Sequence, residues 1–181
     1  NMAAALNSSF VNSFDSGNAI VDFKYCNHDQ WVCYLNPTGL GAININLTPP
    51  ISLGYIPLSS PGALDCRDDL CYVGESSGVN IYNITALNPT PIATTIPYTT
   101  PNYSSITYGG LIYTINGGMV DILVPTSSSQ IALHSNFNFY TGIQNHQVTV
   151  NGNTIYVATD QGIVTGTINE YTLTGSPQRE D

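Results

Sequence analysis

Basic charge is almost absent from this chain. Only Lys24, Arg67 and Arg179 are cationic among 181 residues, against 12 Asp and Glu, for a formal net charge of −9. Neutralising phosphates requires Lys and Arg in numbers, which argues against nucleic acid as a partner and equally against an anionic membrane surface. Long apolar runs are missing too, so no stretch of about 18 residues offers a membrane-spanning helix. Helical periodicity has little support. Only residues 1–10 fit a helical turn or two, and residues 1–19 read as an N-terminal arm or linker. The opening Asn1-Met2-Ala3-Ala4-Ala5-Leu6 is too short for a signal peptide, and an Asn start is expected of a chain cut by processing or taken from a longer precursor.

Chemistry-bearing side chains are equally sparse. The histidines are His28, His134 and His146; no two have metal-ligand spacing, and no nucleophile-elbow sequence stands near any of them. The densest acidic group, Asp65, Asp68 and Asp69 with Glu75 nearby, offers oxygen ligands for Ca²⁺. It lacks the spacing of a calcium loop and reads better as a solvated turn. Paired acids for glycoside hydrolysis would have to come from separate repeats, with Asp121 and Asp160 as the example. The expectation is therefore a non-enzymatic protein with no cofactor and no metal site, a secreted hydrolase being the least favoured alternative.

What the chain does contain is a motif used four times: an aliphatic residue or Cys, then Tyr, turn residues, a Gly and a second apolar run. The copies are Cys33-Tyr34 to Gly41, Cys71-Tyr72 to Gly78, Ile112-Tyr113 to Gly118 and Ile155-Tyr156 to Gly162, their tyrosines 38, 41 and 43 residues apart. That period suits a four-stranded propeller blade and is too long for leucine-rich or ankyrin repeats. Four repeats, about 20–60, 61–101, 102–145 and 146–176, fill a single domain over 20–181, and the length leaves no room for a second.

Each repeat divides into four short strands. In the second these are Ala63 to Arg67, Leu70 to Val73, Val79 to Ile84 and Ile92 to Tyr98; in the fourth, Gln147 to Val150, Thr154 to Thr159, Ile163 to Ile168 and Tyr171 to Thr174. Trp31 to Leu35, Ala42 to Asn46, Leu111 to Ile115 and Met119 to Val124 are the clearest strands of the other two. Gly109-Gly110 and Asn151-Gly152-Asn153 mark tight turns, and prolines at 49, 50, 57, 61, 89, 91 and 97 read as punctuation between repeats. The expected fold is all-β, a propeller of four blades of about four antiparallel strands. Its ring closes within one chain, by the strand Tyr171 to Thr174 pairing with the first blade, or through oligomerisation.

The cysteines fall as Cys26 with Cys33 and Cys66 with Cys71. In repeat four the places of Cys66 and Cys71 are taken by Val150 and Ile155, so a cross-strand apolar pair is replaced by a covalent one. A two-residue turn at Asp68-Asp69 sets Cys66 opposite Cys71 where side chains approach closest. Zinc is the rival reading, although the spacings match structural zinc knuckles poorly. Two local disulfides imply an oxidising, extracytoplasmic setting. Charged residues make up 8% of the chain against about 25% in typical soluble proteins, and polarity comes from Asn, Ser, Thr and Tyr. Such a surface stays hydrated when pH changes, which suits an exposed and acidic habitat.

The run Asn153 to Ala158 with Gly162-Ile163, and Tyr72-Val73 followed by Gly78-Val79-Asn80-Ile81-Tyr82-Asn83-Ile84 and Asn88-Pro89, resembles the LVIVD and YVTN types of surface-protein β-propeller repeat. The resemblance spans most of residues 20–175 and implies an extracellular protein of an envelope or of adhesion. In composition the chain is similar to structural proteins of thermoacidophilic archaea and their viruses. Both likenesses imply a fold and a setting; neither implies an activity.

Twelve tyrosines remain to be placed. Tyr34, Tyr72, Tyr113 and Tyr156 are expected to pack between blades with their hydroxyls at a wet rim. Tyr82, Tyr98, Tyr103, Tyr108 and Tyr140 are the candidates for a rim that binds glycan or protein. Asn7, Asn46, Asn83 and Asn102 are N-glycosylation acceptors, with Asn46 and Asn83 at matching strand ends. The functional expectation is a structural protein of a surface complex, such as a virion tail or spike, a cell envelope or a surface filament. It would sit in a homo- or hetero-oligomer and take a host- or receptor-binding role; the alternative is a monomeric module that binds glycan or protein.

Overall fold

A computed structural model gives an all-β chain and describes residues 15–26, 30–87, 91–95, 103–116, 119–127, 129–137, 145–169 and 172–180. No helix occurs among these residues, and so none long and apolar enough to cross a membrane. Asn7, Asn102, Tyr98, Tyr140, His28 and the Asn88-Pro89 dipeptide lie outside the described residues, as do residues 1–14 of the arm.

The strands form four consecutive antiparallel meanders, or blades. The first contains β1 (Asp22–Cys26), β2 (Trp31–Asn36), β3 (Gly39–Asn44) and β4 (Ile51–Pro57). The second contains β5 (Ala63–Arg67), β6 (Leu70–Glu75), β7 (Gly78–Asn83) and β8 (Ala93–Thr95). The third contains β9 (Tyr103–Tyr108), β10 (Ile112–Asn116), β11 (Met119–Pro125) and β12 (Gln130–Phe137). The fourth contains β13 (Asn145–Asn151), β14 (Thr154–Thr159), β15 (Gly162–Asn169) and β16 (Thr172–Glu180). The short β8 also pairs in parallel with β12, Thr94 opposite Gln130, which joins blades two and three at their outer edge.

Two sequence expectations change here. The last strand does not pair with the first blade: β16 runs antiparallel to β15 and completes blade four, so each blade draws its strands from one repeat. Pro49-Pro50 lies inside blade one, between β3 and β4, while Pro57 ends β4 and Pro177 lies in β16, both outermost strands where a missing N–H breaks no ladder.

Register shows how the repeats correspond. Two residues separate the second and third strands of each blade, between the pairs Asn36–Gly39, Glu75–Gly78, Asn116–Met119 and Thr159–Gly162. Gly78 and Gly162 take φ of 134° and 124°, a backbone region that L side chains rarely enter. Counting back from these pairs, the place of Tyr72, Tyr113 and Tyr156 in blade one belongs to Cys33, because the hairpin glycine is Gly39 and not Gly41. β3 accordingly covers Gly39–Asn44 in place of the expected Ala42 to Asn46. A slip of one residue moves every side chain of a strand to the other face. Tyr34 thus points away from blade two, and its ring lies over Gly41, where a Cβ would collide with it.

Three apolar seams hold the blades together. Leu35, Leu40, Ala42 and Ile56 of blade one meet Leu64, Cys71, Val73, Tyr82 and Ile84 of blade two. Ala63, Tyr72, Val79 and Ile81 of blade two meet Tyr103, Ile106, Ile112 and Leu123 of blade three. Tyr113, Ile115, Val120 and Ile122 of blade three meet Val148, Ile155 and Val157 of blade four. Each blade therefore offers one face forward to its successor and the other back to its predecessor. The first strands follow suit: β1 packs on β5, β5 on β9 and β9 on β13. No comparable packing among the described residues joins β13 to β1.

Candidate functional site

The concave side of the array encloses a cavity of about 420 Å³ lined from all four blades, by Asp22 and Lys24, Asp65, Ser104 to Thr107, and Gln147, Thr149, Tyr156 and Ile163 among others. Hydroxyls, an amide and carboxylates dominate it. Asp22 and Lys24 form an ion pair at 3.1 Å with both side chains about one-third exposed, a geometry that contributes little to stability. Asp65 is more deeply set: its carboxylate accepts the backbone N–H of Tyr108 at 2.8 Å and the Thr107 hydroxyl at 3.5 Å. Burial pushes its carboxyl above the ordinary carboxylate range, against the opposing pull of the Tyr108 N–H and of Lys24.

The Asp65–Tyr108 bond crosses from blade two to blade three, and it has a counterpart in the next seam. There the Ser105 hydroxyl of blade three accepts the backbone N–H of Val148 in blade four at 3.1 Å. In both cases a forward-facing side chain of an inner strand takes an N–H from the inner strand of its successor.

Both cysteine pairs are bonded, Cys26 to Cys33 and Cys66 to Cys71. Cys66 stands directly opposite Cys71, their Cα atoms 4.1 Å apart, as Val150 stands opposite Ile155 in blade four. Cys26 is instead paired with Trp31, and Cys33 with Lys24, so this bridge is diagonal. Because of the register in blade one, Cys33 faces forward and Cys71 backward. The two bridges meet in one seam, with the sulfurs of Cys33, Cys66 and Cys71 all within 4.8 Å of one another. Among the described residues this is the one cluster of three or more metal-type ligands, and its sulfurs are engaged in disulfides.

The other expected residues scatter. Tyr82 and Tyr103 are buried in seams and form no rim. The Tyr82 hydroxyl donates to Glu75 Oε1 at 2.6 Å, and burial together with that carboxylate pushes its pKa well up. Tyr103 lies against Gly74, where any Cβ would strike it. Tyr108 is half-buried, stacked on Tyr72 with ring centres 4.7 Å apart and with the Arg67 guanidinium 5.9 Å from its ring. Asp68 and Asp69 form the β5–β6 turn, whereas Asp65 faces blade three and Glu75 is buried at the other end of β6, so these acids do not converge. Asp121 is buried and receives the Asn116 amide at 3.0 Å; Asp160 is exposed at the β14–β15 turn, and neither lines the cavity.

Asn46 is exposed and Asn83 half-buried, and they are not equivalent. Asn44 is the match of Asn83: each closes its strand and accepts the N–H two residues on, from Asn46 and Thr85 respectively.

A recurrent polar position escaped the sequence reading. The residue that ends the second strand of each blade is Asn36, Glu75, Asn116 or Thr159, and each is tied locally. Asn36 accepts from Thr38 and Tyr55, Glu75 from Asn80 and Tyr82; Asn116 donates to Asp121, and the Thr159 hydroxyl donates to the Gly162 carbonyl. Four different residue types hide the repeat from a motif search.

Blades in sequence order, inner strands packed about a common axis and seams of one repeated design define a β-propeller. Solved propellers agree. The computationally designed Ika4 protein superimposes with a TM-score of 0.69 at 10% identity, over 90% of this chain and 99% of its own. The designed Ika8 protein gives 0.67 at 11% identity over 87% of this chain but 49% of its own, and the Myceliophteria thermophila Cps50 (Swd1) β-propeller domain 0.63 at 11% over 81% and 55%. The chain thus spans about half the length of Ika8 and of the Swd1 domain. No protein-family model matches the sequence, and no curated protein matches it.

Proposed function

We propose that this chain is a non-enzymatic, extracytoplasmic propeller that builds or decorates a surface assembly, a virion tail or spike, an envelope or a surface filament, through protein–protein contacts. The observation that carries this reading is a row of exposed apolar side chains at the inner edge of the backward face of blade one. Phe23 and Tyr25 alternate along β1 and Val21 directly precedes it, all three exposed, and Tyr55 of β4 is exposed at the outer edge of the same blade. An aromatic face of this kind on a monomer is an interaction surface. Two disulfides support an oxidising compartment. The scarcity of charge and the LVIVD- and YVTN-type resemblance support a surface protein.

The test is association in the native source. The wild-type chain should sediment with the envelope or particle, and a Phe23→Ser/Tyr25→Ser variant should remain in the free fraction. A wild-type chain found free would overturn the reading.

A second reading rests on the cavity. Its lining of Ser105, Thr107, Gln147, Thr149, Asp65 and Tyr156 offers hydroxyls, an amide, a carboxylate and one aromatic ring, the groups that hold a glycan. In that case a glycan array should give signals that Gln147→Ala and Tyr156→Ala abolish in a chain that stays monomeric.

A further inference from the structure

We infer that the partner at the open face is a second copy of this chain, and that two copies close one ring by making the fourth seam twice. The inference rests on the assembly reading above and names its partner.

Three seams inside the chain supply the template. The place of Phe23 on the backward face is held in the other blades by Leu64, Ile106 and Val148, which are 1%, 5% and 5% exposed; Phe23 is 62% exposed. The place of Ile163 on the forward face is held by Leu40, Val79 and Val120, all fully buried; Ile163 is 50% exposed. Three times out of four, then, a forward residue of this type and a backward residue of this type are buried in a seam. The remaining two are the leftover halves of a fourth.

The polar pattern matches in the same register. Ser105 and Asp65 accept the backbone N–H groups of Val148 and Tyr108 across their seams. Their equivalents on blade four are Gln147 and Thr149, both exposed acceptors, and the equivalents of Val148 and Tyr108 on blade one are Phe23 and Tyr25. At present the Phe23 N–H is bonded to the Asp22 carboxylate of its own strand at 2.8 Å. A blade-four forward face set on a blade-one backward face would bring Gln147 and Thr149 to these two N–H groups and Ile163 to the Phe23 ring.

The chain's own blade four does not fill this role. Among the described residues no packing comparable to the three seams joins β13 to β1, β16 is spent inside blade four, and the cavity lies between Ile163 and the inner strand of blade one. Four blades left with one unmatched forward residue, Ile163, and one unmatched backward residue, Phe23, make an open arc. An arc of that kind closes when a second copy, related by a twofold axis along the channel, presents its complementary end at both gaps. Such a head-to-tail contact is heterologous, and it ends in a ring because the rotation closes.

The test is the solution mass of the full chain by sedimentation equilibrium, for wild type, Phe23→Ser and Ile163→Ser, with circular dichroism to verify folding. Both residues are exposed in the single chain, so neither substitution should unfold it. The wild type should have twice the 19.4 kDa of one chain, and each variant should fall to 19.4 kDa. A wild type at 19.4 kDa at every concentration would overturn the inference, as would a two-copy mass unchanged by both substitutions. Either result would leave the surface-assembly reading standing on its own sedimentation test, since a different protein could still dock on Phe23 and Tyr25.

Discussion

The carboxylate of Asp65 reaches across a blade boundary to the backbone N–H of Tyr108, 2.8 Å away, and in doing so fixes the register of blade three against blade two. Ser105 and Val148 repeat the arrangement one seam later at 3.1 Å. Apolar packing between blades has no intrinsic register, so directional bonds from inner-strand side chains keep neighbouring blades from sliding.

Replacing Asp65 with Ala strands the Tyr108 N–H in a half-buried seam. The expected cost is about 1–3 kcal/mol, the range for a buried donor left without its acceptor, measured by urea denaturation. Asp65→Asn keeps an acceptor and should cost less.

The pH dependence follows from the same group. Burial raises the carboxyls of Asp65 and Asp121 above their ordinary value of 3.8. A carboxyl raised in the folded state binds its proton more tightly than in the unfolded chain. Its contribution to stability is fully present below the unfolded value and is lost as pH rises through the folded one. The melting temperature should therefore climb from neutral to mildly acidic pH, and Asp65→Asn with Asp121→Asn should flatten that slope.

Equivalent positions should respond unequally to one substitution. Leu40→Ala empties a fully buried site in the first seam and should cost about 2–5 kcal/mol. Ile163→Ala, at the matching but half-exposed place in blade four, should change the unfolding energy of a single chain by no more than about 0.5 kcal/mol. Concentration-dependent unfolding separates the two, because a seam made between copies loses stability on dilution.

Opening the Cys66–Cys71 bridge as Cys66→Val/Cys71→Ile, the pair that blade four uses, retains cross-strand packing and removes the constraint on the unfolded chain. For so short a loop the expected loss is about 2 kcal/mol by thermal melting. A double Ser variant should lose more, since it also places hydroxyls against Leu64 and Val73 in the seam.

The fold was legible because period and turn chemistry are local properties. Ala63 to Arg67 and Thr154 to Thr159 coincide with β5 and β14, and the Asp68-Asp69 turn sets Cys66 opposite Cys71 as its length requires. Register in blade one was not legible: Cys33-Tyr34 imitates Cys71-Tyr72, and only the pairing of Asn36 with Gly39 shows that Cys33 holds the tyrosine place. Tyr82 and Tyr103, expected at a rim, lie in seams for a related reason. Whether a tyrosine such as Tyr82 faces water or a neighbouring blade depends on what packs on that face, and Glu75 holds its hydroxyl inside. The open seam is likewise invisible in sequence, since Phe23 and Ile163 look like any other apolar residues of an alternating strand.

The most direct test of the account is an image of the purified chain. Single-particle averages should show a ring of eight blades around one channel, each half contributed by one copy, with Phe23 inside the two seams between them. Averages showing a closed disc of four blades would contradict it, since Phe23 and Ile163 would then meet within one molecule and no second copy would be needed.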